Sequence, residues 1–403
     1  MITFYHLPIT IKKRCRLLIY LVFGVLHGCV SSPAMLDNAV ISYDKSITET
    51  LSKQLLLNIA RAHQHQPMHF TGISNIAATF NFQLSAGATP ALTGDSGSLL
   101  VPSFGGSISE NPTISIVPME GEEFTRRLLT PLQEAKLTML LRQGADVDLI
   151  LRLLIDELRV TTANEDKIYQ NKPADAESYR MFRQVILHLS AIQDHHALHV
   201  NPLLFDRSWT LPAASLSADK LADLQKEFTV SYDAARQQVK LSKRISGHIV
   251  MGNYDPDSLS NEEREKLQQE ADNLPTNEVM IDIRPGYPGG EWPLHGAFRL
   301  RSFHNVLNFI GQGISEDPEF FVPKHPLTPE VKENPTHTLA ITVSGSEPKG
   351  ADVSVKFGDN YYAVKPESGY QWNREGFRLL YQVFQMTMSE LSQQGAPSIT
   401  ISK

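Results

Sequence analysis

Cysteine is nearly absent from this chain: 403 residues hold two, Cys15 and Cys29. A disulfide framework is excluded, so the fold has to rest on a packed core. No apolar stretch reaches the roughly 20 residues that a membrane-spanning helix needs. The longest, Leu17 to Leu26, has ten. Lysine and arginine are missing from Ala62 to Thr125, and over the whole length 44 acidic residues face 37 lysines and arginines. That balance argues against nucleic acid as a partner and against attachment to anionic lipid by charge alone. Common chemical motifs are missing too. There is no phosphate-cradling glycine loop, no Gly-x-Ser-x-Gly elbow, no Cys-x-x-Cys and no His-Glu-x-x-His. No catalytic residue, cofactor or metal is assigned on this basis, and enzymatic turnover is not the leading expectation.

What is present begins with an address. Lys12, Lys13, Arg14 and Arg16 precede the ten-residue apolar stretch, and Leu26-His27-Gly28-Cys29 closes it. This is the pattern of a lipoprotein signal peptide over residues 1–28, with Cys29 as the acylated new N-terminus. His27 is unusual in its slot, and ordinary cleaved secretion or a retained anchor are the competing readings. One acyl chain binds membranes marginally, whereas two or three hold a protein there almost permanently. The expected location is the outer membrane, lipid-anchored and facing the periplasm, because Val30 rather than an acidic residue follows the cysteine. The bilayer is then one partner, envelope proteins are others, and a homo-oligomer fits the same picture.

Residues 29–44 read as a tether. Ile47, Leu51, Leu55 and Ile59 recur at helical spacing over 46–64, and Pro67 stops the pattern. From Ile76 the period becomes two: Ile76, Ala78, Phe80, Phe82 and Leu84 alternate with polar or small residues. Residues 85–111 are rich in Gly, Ser and Pro and are expected to form a long loop. Leu100, Pro102, Phe104, Gly106 and Ile108 also alternate, which keeps open a second reading of 76–108 as a hairpin inserted into a membrane. Helices are expected at 132–142, 146–158 and 174–194, extended segments at 197–205 and 228–250, and a helix at 260–272 opened by a Ser260/Glu263 capping box. A strand over 278–285 (EVMIDIRP) runs into Pro285 to Gly290, which breaks regular structure and divides a region 45–284 from a C-terminal subdomain 285–403. The subdomain reads as strand 296–301, helix 302–314, strands at 337–344, 351–357 and 360–364, helix 374–393 and strand 398–402. The class is α+β, with mixed sheets and no repeat.

Several residues invite chemistry. Gly94-Asp95-Ser96-Gly97 looks like a serine-protease nucleophile segment with His63 as base, but a Gly/Ser-rich surround supplies no rigid oxyanion site. His63, His65 and His69 form one histidine cluster, and Asp194, His195, His196 and His199 another. His195 and His199 have the i, i+4 spacing zinc favours, yet the helix is expected to end at Asp194. Asp255-Pro256-Asp257 lacks the glycine and further ligands of a calcium loop and reads as the approach to a helix.

Six stretches, 54–70, 112–132, 144–160, 294–314, 350–364 and 377–401, resemble in order a proteobacterial lipoprotein family that carries no assigned activity. Among them are QLLLNIARAHQHQPMHF, GADVDLILRLLIDELRV and LHGAFRLRSFHNVLNFIGQGI. The resemblance implies one architecture along the mature chain and carries no catalytic residue with it. Lys365-Pro366-Glu367 departs from the acidic turn that similar proteins have after the YYAV strand. The functional expectation is a membrane-anchored envelope lipoprotein with a structural, assembly or interaction role; the alternative is an envelope hydrolase acting on cell-wall or polysaccharide material.

Overall fold

Helix α1 (Ser31–His63) opens the described structure, a computed structural model covering residues 31–90, 100–162, 165–367 and 371–388. Cys29 and its leader, the Gly94 to Gly97 segment and the strand expected at 398–402 lie outside these residues. The chain divides into two units, 1–54 and 55–403. Residues 31–44, read as a tether, are helical instead. Pro33 falls in the first turn, where its missing N–H costs nothing, and no glycine follows to interrupt the helix.

After α1 come two long strands, β1 (Phe70–Pro90) and β2 (Leu100–Met119), paired antiparallel from Phe70 opposite Met119 to Pro90 opposite Leu100. The long loop expected over 85–111 is therefore a correction. Residues 85–90 and 100–111 pair, with Ser85 opposite Gly105 and Asn111 opposite Thr79. Composition suggested a loop because it counts buried apolar surface. A two-stranded ribbon instead satisfies its inward N–H and C=O groups by pairing, and the alternation continues through Ala86 and Ala88.

Helices α2 (Glu122–Leu129), α3 (Glu134–Leu141) and α4 (Val147–Leu154) lead into β3 (Ile155–Thr161) and β4 (Asp166–Gln170). The helix expected over 146–158 stops at Leu154 because other parts of the chain take its last carbonyls. Asn171 Nδ2 donates to the Arg152 and Ile155 oxygens at 2.9 Å each, and the Arg301 guanidinium donates to the Arg152 oxygen at 3.1 Å. Helix α5 (Ala176–Asp194) is followed by β5 (His199–Pro212), α6 (Ala218–Glu227), β6 (Thr229–Asp233) and β7 (Gln238–Gly252). Next come α7 (Asn261–Ala271), with the Ser260/Glu263 capping box formed in both directions, β8 (Glu278–Ile283) and β9 (Leu294–Leu300). Helix α8 (Phe303–Gln312), β10 (Ile341–Ser344), β11 (Ser354–Phe357), β12 (Asn360–Val364) and α9 (Trp372–Met388) complete the order.

Seven strands make the main sheet in the order β4-β3-β9-β8-β7-β5, with β6 also on β7. Only β7 and β8 run parallel in it. The Pro285 to Gly290 break joins β8 to β9, antiparallel neighbours, so the sheet is continuous across it. A second sheet has the order β10-β12-β11, and β1 and β2 pair only with each other among the described residues. Helices and mixed sheets together make the fold α+β, as the patterning implies.

The core sits on α4, α5, β3, β8 and β9. Every residue of α4 is buried, including Asp148 and Arg152. Arg152 Nη2 meets Glu319 Oε1 at 2.7 Å, its Nη1 donates to the Pro335 oxygen at 2.7 Å, and Tyr179 and Thr338 donate to the same carboxylate. Arg183 pairs with Asp148 at 2.5 Å and donates to Asn334 at 3.1 Å. Burial opposes the charge on Arg152, but Glu319 and Asp148 outweigh it and hold the guanidinium above its ordinary pKa. These pairs fasten the irregular stretch between α8 and β10 onto a helix that has no exposed face.

Candidate functional site

The first candidate surface is the β1–β2 ribbon. Its base is anchored: the ring of buried Phe70 lies 5.0 Å from Phe384, 6.2 Å from Phe303 and 6.3 Å from Phe124. Asn58 grips the residue before it, donating to the His69 oxygen at 2.9 Å and accepting from the His69 N–H at 2.8 Å. Above the base the register sorts residues by type. Residues Phe82, Leu84, Ala86 and Ala88 share one face with their partners Ile108, Gly106, Phe104 and Pro102. On the other face Gln83, Ser85, Gly87 and Thr89 stand opposite Ser107, Gly105, Ser103 and Val101. No basic residue occurs anywhere in the ribbon. Near the base of β2, Ile116 and Val117 are 64% and 48% exposed.

The second candidate is a cleft of about 910 Å³ between α7 and strands β3, β8 and β9, lined among others by Arg159, Lys266, Glu270, Asp282, Arg284 and His295. Asp282 is its hub. The buried carboxylate accepts from Tyr254 Oη at 2.5 Å, from Arg284 Nε at 2.7 Å and pairs with His295 Nδ1 at 3.1 Å. Burial opposes its charge, and the hydrogen bonds from His295, Tyr254 and Arg284 outweigh burial to hold it below the usual carboxylate range. His295 is raised above the ordinary imidazole value by its bond to Asp282, against partial burial. Its other nitrogen, Nε2, lies 3.2 Å from Glu270. With both ring nitrogens against carboxylates, the imidazole is set up to hold a proton, leaving no free nitrogen to activate a nucleophile.

The histidines singled out in sequence go to separate places. His63 Nδ1 meets Tyr362 Oη and its Nε2 meets Ser315 Oγ, each at 2.9 Å. His65 pairs with Glu316 at 2.6 Å. His195 caps α5, His196 has φ of 56°, and His199 begins β5 opposite Gly252. Among the described residues no group of three or more His, Cys, Asp or Glu is placed to hold a metal ion. Asp255 opens a short 3-10 turn and accepts from Asp257 N at 3.1 Å, and Glu367 accepts from the backbone N–H of Asn373 at 2.8 Å near the start of α9.

Sequence reasoning missed the Tyr254, Asp282, Arg284 and His295 cluster. One signal was available: Asp282 is the only charged residue besides Glu278 in a strand buried at every position, and an acid in such a strand needs partners. The partners come from β9 and from the ends of β7 and β8, which nothing in the linear pattern brings together. Comparison with family models, with curated proteins and with solved structures finds no match to this chain.

Proposed function

We propose that this chain is an envelope lipoprotein, acylated at Cys29 and held on the periplasmic face of the outer membrane, that acts as an assembly component. The observation that carries the reading is the β1–β2 ribbon. It pairs with no third strand among the described residues, so each of its long strands offers an outer row of backbone donors and acceptors. Such edges are templates for pairing, and proteins that do not use them blunt them with charge, proline or a covering element. Pro90, Pro102, Pro112 and Pro118 remove four donors from the two strands, and the absence of lysine and arginine leaves the remaining stretches of edge open to a partner. The lipid address of residues 12–29 supports the location.

Intact mass spectrometry of the protein purified from native membranes tests the anchor: a chain beginning at Cys29 with fatty acid attached is expected, and a chain beginning at Met1 or lacking acyl groups overturns it. Crosslinking in intact cells tests the assembly role, with covalent products expected and a protein recovered alone as the opposing result.

A further inference from the structure

We propose that the β1–β2 ribbon is a membrane-inserted hairpin, and that several copies of this chain join their ribbons edge to edge into one closed β-barrel with a polar, water-filled interior. The inference deepens the assembly reading above and rests on it. It commits to one partner for the edges, a second copy of the same chain, and to lipid for the apolar face.

Length is the first argument. Phe82 to Pro90 and Leu100 to Ile108 are nine paired residues on each strand without a charge, and a tilted strand crosses the hydrocarbon region with about 9–11. The one charge in the paired residues, Glu110 opposite Phe80, lies just outside that window on the side toward the base, where the headgroup region would receive it. Face is the second argument. Within the window every position on one side is Phe, Leu, Ile, Ala, Pro or Gly, and on the other side Gln, Ser, Thr or Gly with Val101 as the exception. Outward apolar and inward polar residues in strict alternation are what a barrel wall requires, and a strand half-buried in a soluble core has no use for two such long, matched faces. A hairpin alone in lipid would leave its edge groups unsatisfied at several kcal/mol each. Closure removes those edges, and because one chain supplies two strands, closure requires copies. The smallest transmembrane barrels have about eight strands, which sets the minimum at about four chains.

The ribbon's base gives the geometry a fixed point. Phe70 and the Asn58–His69 pair belong to the same unit as the main sheet, so each chain would present its ribbon from a rigid body rather than from a loose linker.

The test uses the full-length acylated protein in native membranes, with single engineered thiols at neighbouring positions: Leu84→Cys and Ser103→Cys, Gln83→Cys and Phe104→Cys. A membrane-impermeant maleimide is expected to react about tenfold or more faster with the polar-face pair, Gln83→Cys and Ser103→Cys, than with Leu84→Cys and Phe104→Cys, because lipid excludes the probe from the second pair. Equal, rapid reaction at all four positions overturns the barrel. Reconstitution of the purified protein into planar bilayers gives a second readout, stepwise conductance, expected to vanish in a variant that keeps 70–75 and 115–119 and joins them by a short turn. That variant should melt with the parent, because the base is retained; conductance unchanged by the shortening overturns the proposal. Crosslinked products with equal thiol reactivity would refute the barrel while sparing the assembly role, whereas a protein that is acylated but never crosslinked to any copy or partner refutes both.

Discussion

Two long ribbons leave the regular sheet pattern of this protein, and they are managed in opposite ways. The outer halves of β5 and β7 run on past the main sheet, and β6 pairs along β7 there while α6 lies in the connection between β5 and β6. Twelve charged residues fall between His199 and Gly252, against two between Phe70 and Met119. Charge and an added strand protect the first ribbon from stray pairing. The second has no added strand among the described residues and Glu110 as the one charge in its paired residues, and its register separates apolar from polar faces along most of its length. Ribbon length is therefore not the informative feature; what covers the edges is. The charged ribbon with its added strand is the one that needs no partner, and the nearly uncharged one is the ribbon we propose to be completed by further copies.

The largest effect that bears on this contrast should come from the anchor of the uncharged ribbon. Phe70→Ala removes a buried ring from among Phe124, Phe303 and Phe384 and is expected to cost about 3–5 kcal/mol in thermal or denaturant unfolding. Next, Phe104→Lys places a cation in the middle of the apolar face. It should disfavour insertion by about 2–4 kcal/mol per copy and abolish conductance, while Tyr232→Lys on the exposed β6 moves stability by less than about 0.5 kcal/mol. A Phe104→Lys protein that still conducts would erase the distinction between the ribbons.

The charged ribbon has an anchor of its own. At the irregularity opposite Pro202 and Leu204, the His248 N–H donates to Gln268 Oε1 at 2.8 Å and the Ile249 N–H donates to Glu134. A side chain at Gly247 would collide with that same Gln268 oxygen. Gln268→Ala leaves the His248 donor without its acceptor and is expected to cost about 1–3 kcal/mol, read as faster amide exchange over 238–246 and none over 70–75. A smaller effect than that of Gln268→Ala is a pH effect on the body alone. Burial, with Asp148 close by, pushes Asp146 up to about 6. Because the folded-state value is raised, the acid contributes stability that is present below about 4 and is lost as pH rises through 6. Asp146→Asn keeps an oxygen for the Asp148 N–H and should gain about 1 kcal/mol on the parent between pH 5 and pH 8. Melting curves at the two pH values check it, and both ribbons should be indifferent.

How much of this was legible in the chain differs by element. The Ser260/Glu263 capping box and the end of α5 at Asp194 follow from local chemistry and are where spacing puts them, and the strand expected over 278–285 starts at Glu278 and ends at Ile283, short of Pro285. The second half of the helix expected over 146–158 is not, because Asn171 and Arg301 reach its carbonyls from other elements. The return strand of the uncharged ribbon was half legible: Leu100 to Ile108 alternate, but glycine, serine and Pro102 hid a strand that only pairing with β1 reveals. The cleft was not legible at all, since Tyr254, Asp282, Arg284 and His295 meet only once β8 lies between β7 and β9.

By itself the sequence determined the α+β class, the capping of individual helices and the two-residue rhythm that divides 76–84 into an apolar and a polar side, because these depend on side-chain type at a spacing the backbone imposes. Tertiary structure alone decided where the buried helix ends, which carboxylates gather in the cleft and which strand lies opposite which in the ribbon. Those outcomes turn on hydrogen-bond partners and charges that are distant along the chain, and no local preference can choose among them.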